Sequence, residues 1–167
     1  MDEIITGFRL APGGAQEYYD VTPDLACFAK AMANGMPVSA VAGRRDVMDK
    51  MKDLRISITY GGEALSLAAA VACMTKVRDR GVPQHLWRMG RKLMAGLDAA
   101  AEGAGIPFRC DAPAPMSVMR FEGLDSAEND LVWSYMLQEM AVRGVLMRRG
   151  GVNFVTYSHQ ESDIDEI

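Results

Sequence analysis

The 167-residue sequence lacks any apolar run long enough to span a bilayer, and no charged-then-apolar leader opens it. Both absences argue against a membrane-embedded or exported protein. Cysteine is scarce: Cys27, Cys73 and Cys110 lie far apart, without metal-ligand spacing. An odd count with no export signal reads as reduced thiols, so a cytoplasmic location is expected. Histidine is scarcer still, and His85 and His159 have no partner spacing for metal or triad chemistry. No His-x-Glu, Cys-x-x-Cys or Walker-type loop occurs, which argues against zinc hydrolysis and nucleotide binding, and no metal is expected. Basic excess is also missing. The net charge of −4 disfavours nucleic acid or an anionic membrane surface as partner.

What is present is an ordinary globular composition, 49% hydrophobic and 24% charged, enough for a sizeable core. The stretch that organises the chain covers residues 23–44. A short apolar run delivers Lys30 between Phe28-Ala29 and Ala31-Met32, and a small-residue loop follows. Residues 38–42, Val-Ser-Ala-Val-Ala, then read as a buried strand closed by Gly43. Lys30 has two readings. One is a lysine on the wet face of a short helix. The other is a desolvated amine with a lowered pKa, a nucleophile toward a carbonyl carbon.

The residues around Lys30 bear on that choice. Asp2, Glu3, Thr6, Gly7, Phe8, Pro23, Asp24, Lys30, Gly35 and Pro37 occur in an order and spacing that resembles the class III, fold type I, pyridoxal-phosphate (PLP) aminotransferases. Within them the segment is similar to the glutamate-1-semialdehyde 2,1-aminomutases and their aminotransferase relatives. The resemblance implies an α/β fold with part of a large PLP-binding domain over residues 1–83. A small α+β C-terminal domain over 84–167, incomplete at its end, would follow. It implies Lys30 as the lysine that carries the cofactor and moves protons, and Asp2 as the acid that keeps the pyridine nitrogen protonated. Ile4 would pack on the ring face. Thr59 would reach the phosphate of a neighbouring subunit, with Gly61-Gly62 and the following helix offering amides to the anion. The alternative for Thr59 is a glycine turn with an ordinary helix cap. Here the chain reads Ser57-Ile58-Thr59-Tyr60-Gly61-Gly62-Glu63, a departure from the aminomutase pattern that favours a related transaminase.

The rest of the chain supplies the frame. A short helix is expected over 47–51, and an apolar helix buried on nearly every face over 64–78. Gly81-Val82-Pro83 should break it, before a helix over 84–102 with Leu86, Met89, Leu93, Leu97 and Ala100 inward. Strands are expected over 106–110, 116–121, 145–147 and 152–156. A helix between 126 and 143, capped by Ser126, should bury Leu131, Val132, Met136 and Met140. Arg148-Arg149 reads as a solvated charge pair, and Cys73 as a small core residue. Both ends look cut, as if the chain were the middle and carboxyl part of a longer enzyme. The expected function is PLP-dependent amino transfer between an amine and a carbonyl compound, by a homodimer. The alternatives are the aminomutase itself, which makes 5-aminolevulinate for tetrapyrroles, and a fragment without catalysis.

Overall fold

The structure is a computed structural model that describes residues Met1–Ile167. It divides into two compact units, Met1–Gln84 and His85–Ile167. No helix is long and apolar enough to cross a membrane.

In the first unit, helix α1 (Ala15–Tyr18) follows the Pro12-Gly13-Gly14 turn, and strand β1 spans Leu25–Phe28. The chain then makes a 3-10 turn over Lys30–Met32 and returns as β2 (Ala40–Gly43). β1 and β2 pair antiparallel, Leu25 opposite Gly43 and Phe28 opposite Ala40. The other edge of β1 takes the start of the chain, with Asp2 bridged in parallel to Cys27. β2 corrects the expectation of a buried strand, since all four of its residues are exposed. Helix α2 (Arg45–Met48) and a 3-10 turn over Asp49–Asp53 occupy the place of the expected 47–51 helix.

Helix α3 spans Ala64–Asp79 and is apolar through most of its first eleven residues. It buries one stripe, Ser66, Ala70 and Val77, while Leu65, Leu67 and Val71 stand exposed. The expectation of burial on every face is therefore corrected. The stripe is spaced by four residues and then seven, so it lies on one face of the helix. That face meets the Lys30 turn: Met32, Ala33 and Ala70 form a core with Phe8, Phe28, Met36, Val38 and Met74 around it.

Helix α4 (Val82–Ala104) starts earlier than expected, in the last residues of the first unit, with Pro83 inside its first turn, where a missing N–H costs nothing; the rest of it lies in the second unit. Leu86 and Met89 are buried and Leu93 and Leu97 half-buried, but Ala101 turns inward in place of Ala100. Strands β3 (Phe108–Asp111), β4 (Met116–Phe121) and β5 (Val152–Phe154) form one antiparallel sheet in that order. The expected strand at 145–147 is irregular, since β5 already occupies the free edge of β4. Helix α5 (Ser126–Val142) is capped by Asp125 rather than Ser126, because a capping box with Glu128 places the carboxylate one residue earlier. Trp133 is buried against Phe121, with Met136 and Leu137 packed beside it. Leu131, expected inward, is 72% exposed. Helix α6 (Glu161–Glu166) closes the chain.

Two glycines of α4 give opposite predictions. A Cβ at Gly90 would run into the backbone carbonyl of Ala114, whereas one at Gly96 meets nothing within 4 Å. Overpacking of that kind costs about 1–3 kcal/mol, more than the roughly 1 kcal/mol that alanine gains over glycine in a helix. Gly90→Ala should therefore lower, and Gly96→Ala raise, the unfolding free energy measured in urea.

Cys110 is buried, and its thiol is pushed up to about 12, chiefly by burial and then by the nearby Asp98 carboxylate. Since the folded value lies above the unfolded one, the folded state holds the proton longer. Stability should be unaffected below the ordinary thiol pKa and fall as pH rises from there toward 12. At pH 8, Cys27, which is exposed, should be alkylated well before Cys110. Mass mapping after a timed iodoacetamide pulse checks this, and prompt labelling of Cys110 would refute it.

Candidate functional site

The backbone at Lys30 carries the first signal. Its φ of 44° lies in the left-handed region, which costs an L-residue about 1–2 kcal/mol and persists only where the surroundings enforce it. They do so here. Ala33 and Asn34 amides donate to the Lys30 carbonyl, and the Cys73 thiol of α3 donates to the Ala31 carbonyl at 3.1 Å. Cys73 is thus half-buried and tied to the turn, not merely core filler. Burial raises its pKa, only partly offset by Lys76. Lys30 itself is exposed, which corrects the expectation of a desolvated amine, and its Nζ makes no hydrogen bond or ion pair. A free amine on a strained, well-supported turn is the arrangement the structure presents.

Asp2 lies beside β1, joined to it by a single parallel bridge to Cys27. The Met1 amino group donates to the Leu25 carbonyl, the Cys27 amide to the Met1 carbonyl at 3.0 Å, and the Glu3 amide to the Cys27 carbonyl at 2.9 Å. These bonds tie Asp2 down. Its Oδ1 accepts from the Ile4 amide at 2.9 Å, which leaves Oδ2 for another donor. Ile4 is half-buried. The sheet therefore carries Asp2 and Ile4 on one edge of β1 and Lys30 two residues past its end.

Thr59 is not gathered into this group by any bond. It is exposed, in an irregular stretch over 54–62 that is exposed throughout. The helix end after it is already occupied: Glu63 caps α3, accepting from the Leu65 and Ser66 amides at 2.8 and 2.7 Å. Those bonds, led by the Ser66 hydroxyl, hold the Glu63 carboxyl below its usual range. The amides expected to face an anion thus face a carboxylate of the chain itself.

In the second unit, Arg148 is exposed and Arg149 makes a surface ion pair with Asp130, which accords with the expected solvated charge pair. His85 Nε2 lies 3.0 Å from the His159 carbonyl, and no group of acidic, histidine or cysteine residues could hold a metal.

One residue escaped the sequence reading. Glu3 has no exposed surface, and its carboxylate accepts from Thr6 Oγ1 and from the Ala15 and Gln16 amides at 2.9 and 2.7 Å. Glu beside apolar residues with Thr three places on was the only local clue; the two amides lie 12 and 13 residues away.

The profile of the family described as aminotransferase class-III matches residues 1–159. The chain is 35% identical, over 98% of its length, to a glutamate-1-semialdehyde 2,1-aminomutase of Syntrophobacter fumaroxidans (strain DSM 10017 / MPOB). Among solved structures it resembles the PLP internal aldimine form of the FumI protein of Sphingopyxis sp. MTA144. The TM-score is 0.91 at 25% identity, over 99% of this chain and 39% of that one. An omega-transaminase from Sphaerobacter thermophilus gives 0.86 at 21% identity, over 99% of this chain and 41% of that one, and shares the fold. The chain spans about 41% of the aminomutase's length. On this match, the chain is a member of the class III aminotransferases, with the fold type I architecture of their PLP enzymes.

Proposed function

We propose that the chain contributes the lysine-bearing core of a PLP-dependent enzyme that moves an amino group between an amine and a carbonyl compound. The observation that carries this reading is the Lys30 turn, an unpaired amine held on strained backbone beside the strand to which Asp2 is bridged. When bound, PLP supplies an aldehyde carbon conjugated to an electron-accepting ring. The donor set suits that group. Lys30 Nζ would hold the carbonyl carbon, and Asp2 Oδ2 would accept the pyridinium N–H. The Ile4 side chain would lie against the ring. Once its hold is released, Lys30 Nζ is the base placed to take a proton from the substrate carbon and return it. Thr59 remains the proposed phosphate contact, offered from a second copy in a homodimer; its exposure and freedom from internal bonds are what support that. A cytoplasmic location accords with three unpaired thiols.

A second reading, a glutamate-1-semialdehyde 2,1-aminomutase, is favoured by the 35% identity to a relative of that name. The Thr59–Glu63 departure weighs for the transaminase. Reducing the chain with borohydride after PLP is added, then mapping the label, tests what both readings share.

A further inference from the structure

We propose that Glu3 is a positioning residue for Asp2 and Ile4, an inference that rests on the PLP reading of Lys30. Asp2 forms the single bridge to β1 and a turn begins at Ile4, so Glu3 joins the two. Burial singles it out: Asp2 is exposed, Glu3 fully buried and Ile4 half-buried. Glu3 is therefore the inward anchor between two residues assigned to the ring. It is fixed at every polar group. Its amide donates to the Cys27 carbonyl, its own carbonyl accepts from the Gly7 amide at 2.9 Å, and its carboxylate takes three donors.

Two of those donors, the Ala15 and Gln16 amides, open α1, whose N-cap residue Gly14 has no side chain to bond them. A carboxylate 12 residues upstream thus does the work of a cap. Gly14 has a φ of 86°, and a Cβ there would stand 2.5 Å from Glu3 Oε2, so the pocket closes around the carboxylate. If the carboxylate left, the amides of α1 would lose their acceptor and the 2–4 segment its side-chain anchor. Asp2 and Ile4 would then turn together. A burying role alone would be met by an apolar side chain; an acceptor of three donors, one residue from Asp2, fixes rotation as well as depth.

The test is a double-mutant cycle read by PLP affinity, with unfolding of the PLP-free chain measured alongside. Glu3→Gln keeps the shape but presents an N–H to an amide. It should weaken PLP binding about tenfold, the scale of one hydrogen bond to a charged group. It should also shift the bound cofactor's absorbance in the same direction as Asp2→Asn. In an Asp2→Asn background, Glu3→Gln should cost less than about twofold more, because the residue it positions has already lost its charge. Thr6→Val should give a smaller loss of the same coupled kind, and Thr6→Ser, which keeps the hydroxyl, should restore affinity. That pair reads the same cycle if Glu3→Gln does not fold. Independent losses that multiply, or a fall in PLP-free stability without the spectral shift, would overturn the proposal. Absence of PLP from Lys30 in the parent chain would instead overturn the reading beneath it, and this inference with it.

Discussion

Lys30→Ala is expected to abolish amino transfer while leaving the fold unchanged. The side chain is exposed and unbonded, so its removal takes no packing or hydrogen bond from the turn. Alanine inherits the same strained φ, and the Cys73–Ala31 and Ala33–Lys30 backbone bonds remain. Unfolding free energy should move by no more than about 0.5 kcal/mol, the usual range for a surface change. Activity should fall by at least about 10²–10⁴-fold, the contribution of a positioned general acid–base, with loss of covalent attachment added to it. Transamination by the PLP-loaded variant within tenfold of the parent would refute the role. A matching collapse in stability would show Lys30 to be structural.

Asp2→Asn is the second large effect. Asparagine keeps an oxygen for the Ile4 amide, so the local turn survives. What is lost is the negative charge beside the ring nitrogen. An opposite charge at contact moves a pKa by about 1–3 units, so its loss should lower the protonated fraction, and the rate, by about 10- to 10³-fold near neutral pH. The sign of the pH dependence follows. With a lowered ring pKa, added protons restore the active form, so the deficit should narrow as pH falls and widen as it rises. A deficit independent of pH would point to misplacement rather than lost charge.

Much of the second unit was legible because its signals are local. The strand expected over residues 116–121 matches β4 at both ends, and the apolar spacing of 126–143 marks α5. The cap moved from Ser126 to Asp125 because two adjacent capping residues compete and only the capping box decides. The strand at 145–147 failed for a non-local reason: its pattern is sound, but the edge it needed is taken by β5. In the first unit, apolarity reported what 38–42 and 64–78 are able to bury, and the structure buries only a stripe of α3 and none of β2.

The candidate site divides in the same way. Lys30, Asp2 and Ile4 are proposed from ordered motif residues, and β1 with its parallel bridge brings Asp2 near the end that leads to Lys30. The exposure of Lys30 was one of two readings open in the sequence, where apolar neighbours also suggested burial; its left-handed φ was not legible at all. Glu3 was quoted with the motif yet given no role, since its amide partners lie a full loop away.

The central claim is that Lys30 is the residue that takes the cofactor. The direct measurement adds one equivalent of PLP to the chain, reduces with borohydride, and maps the product with trypsin. A labelled Lys30 blocks cleavage at that site, so the account predicts one phosphopyridoxyl group on the peptide spanning 10–44, with the separate 10–30 and 31–44 peptides lost in proportion. Label spread over exposed lysines such as Lys50 and Lys52, or less than a stoichiometric label on 10–44, would contradict it.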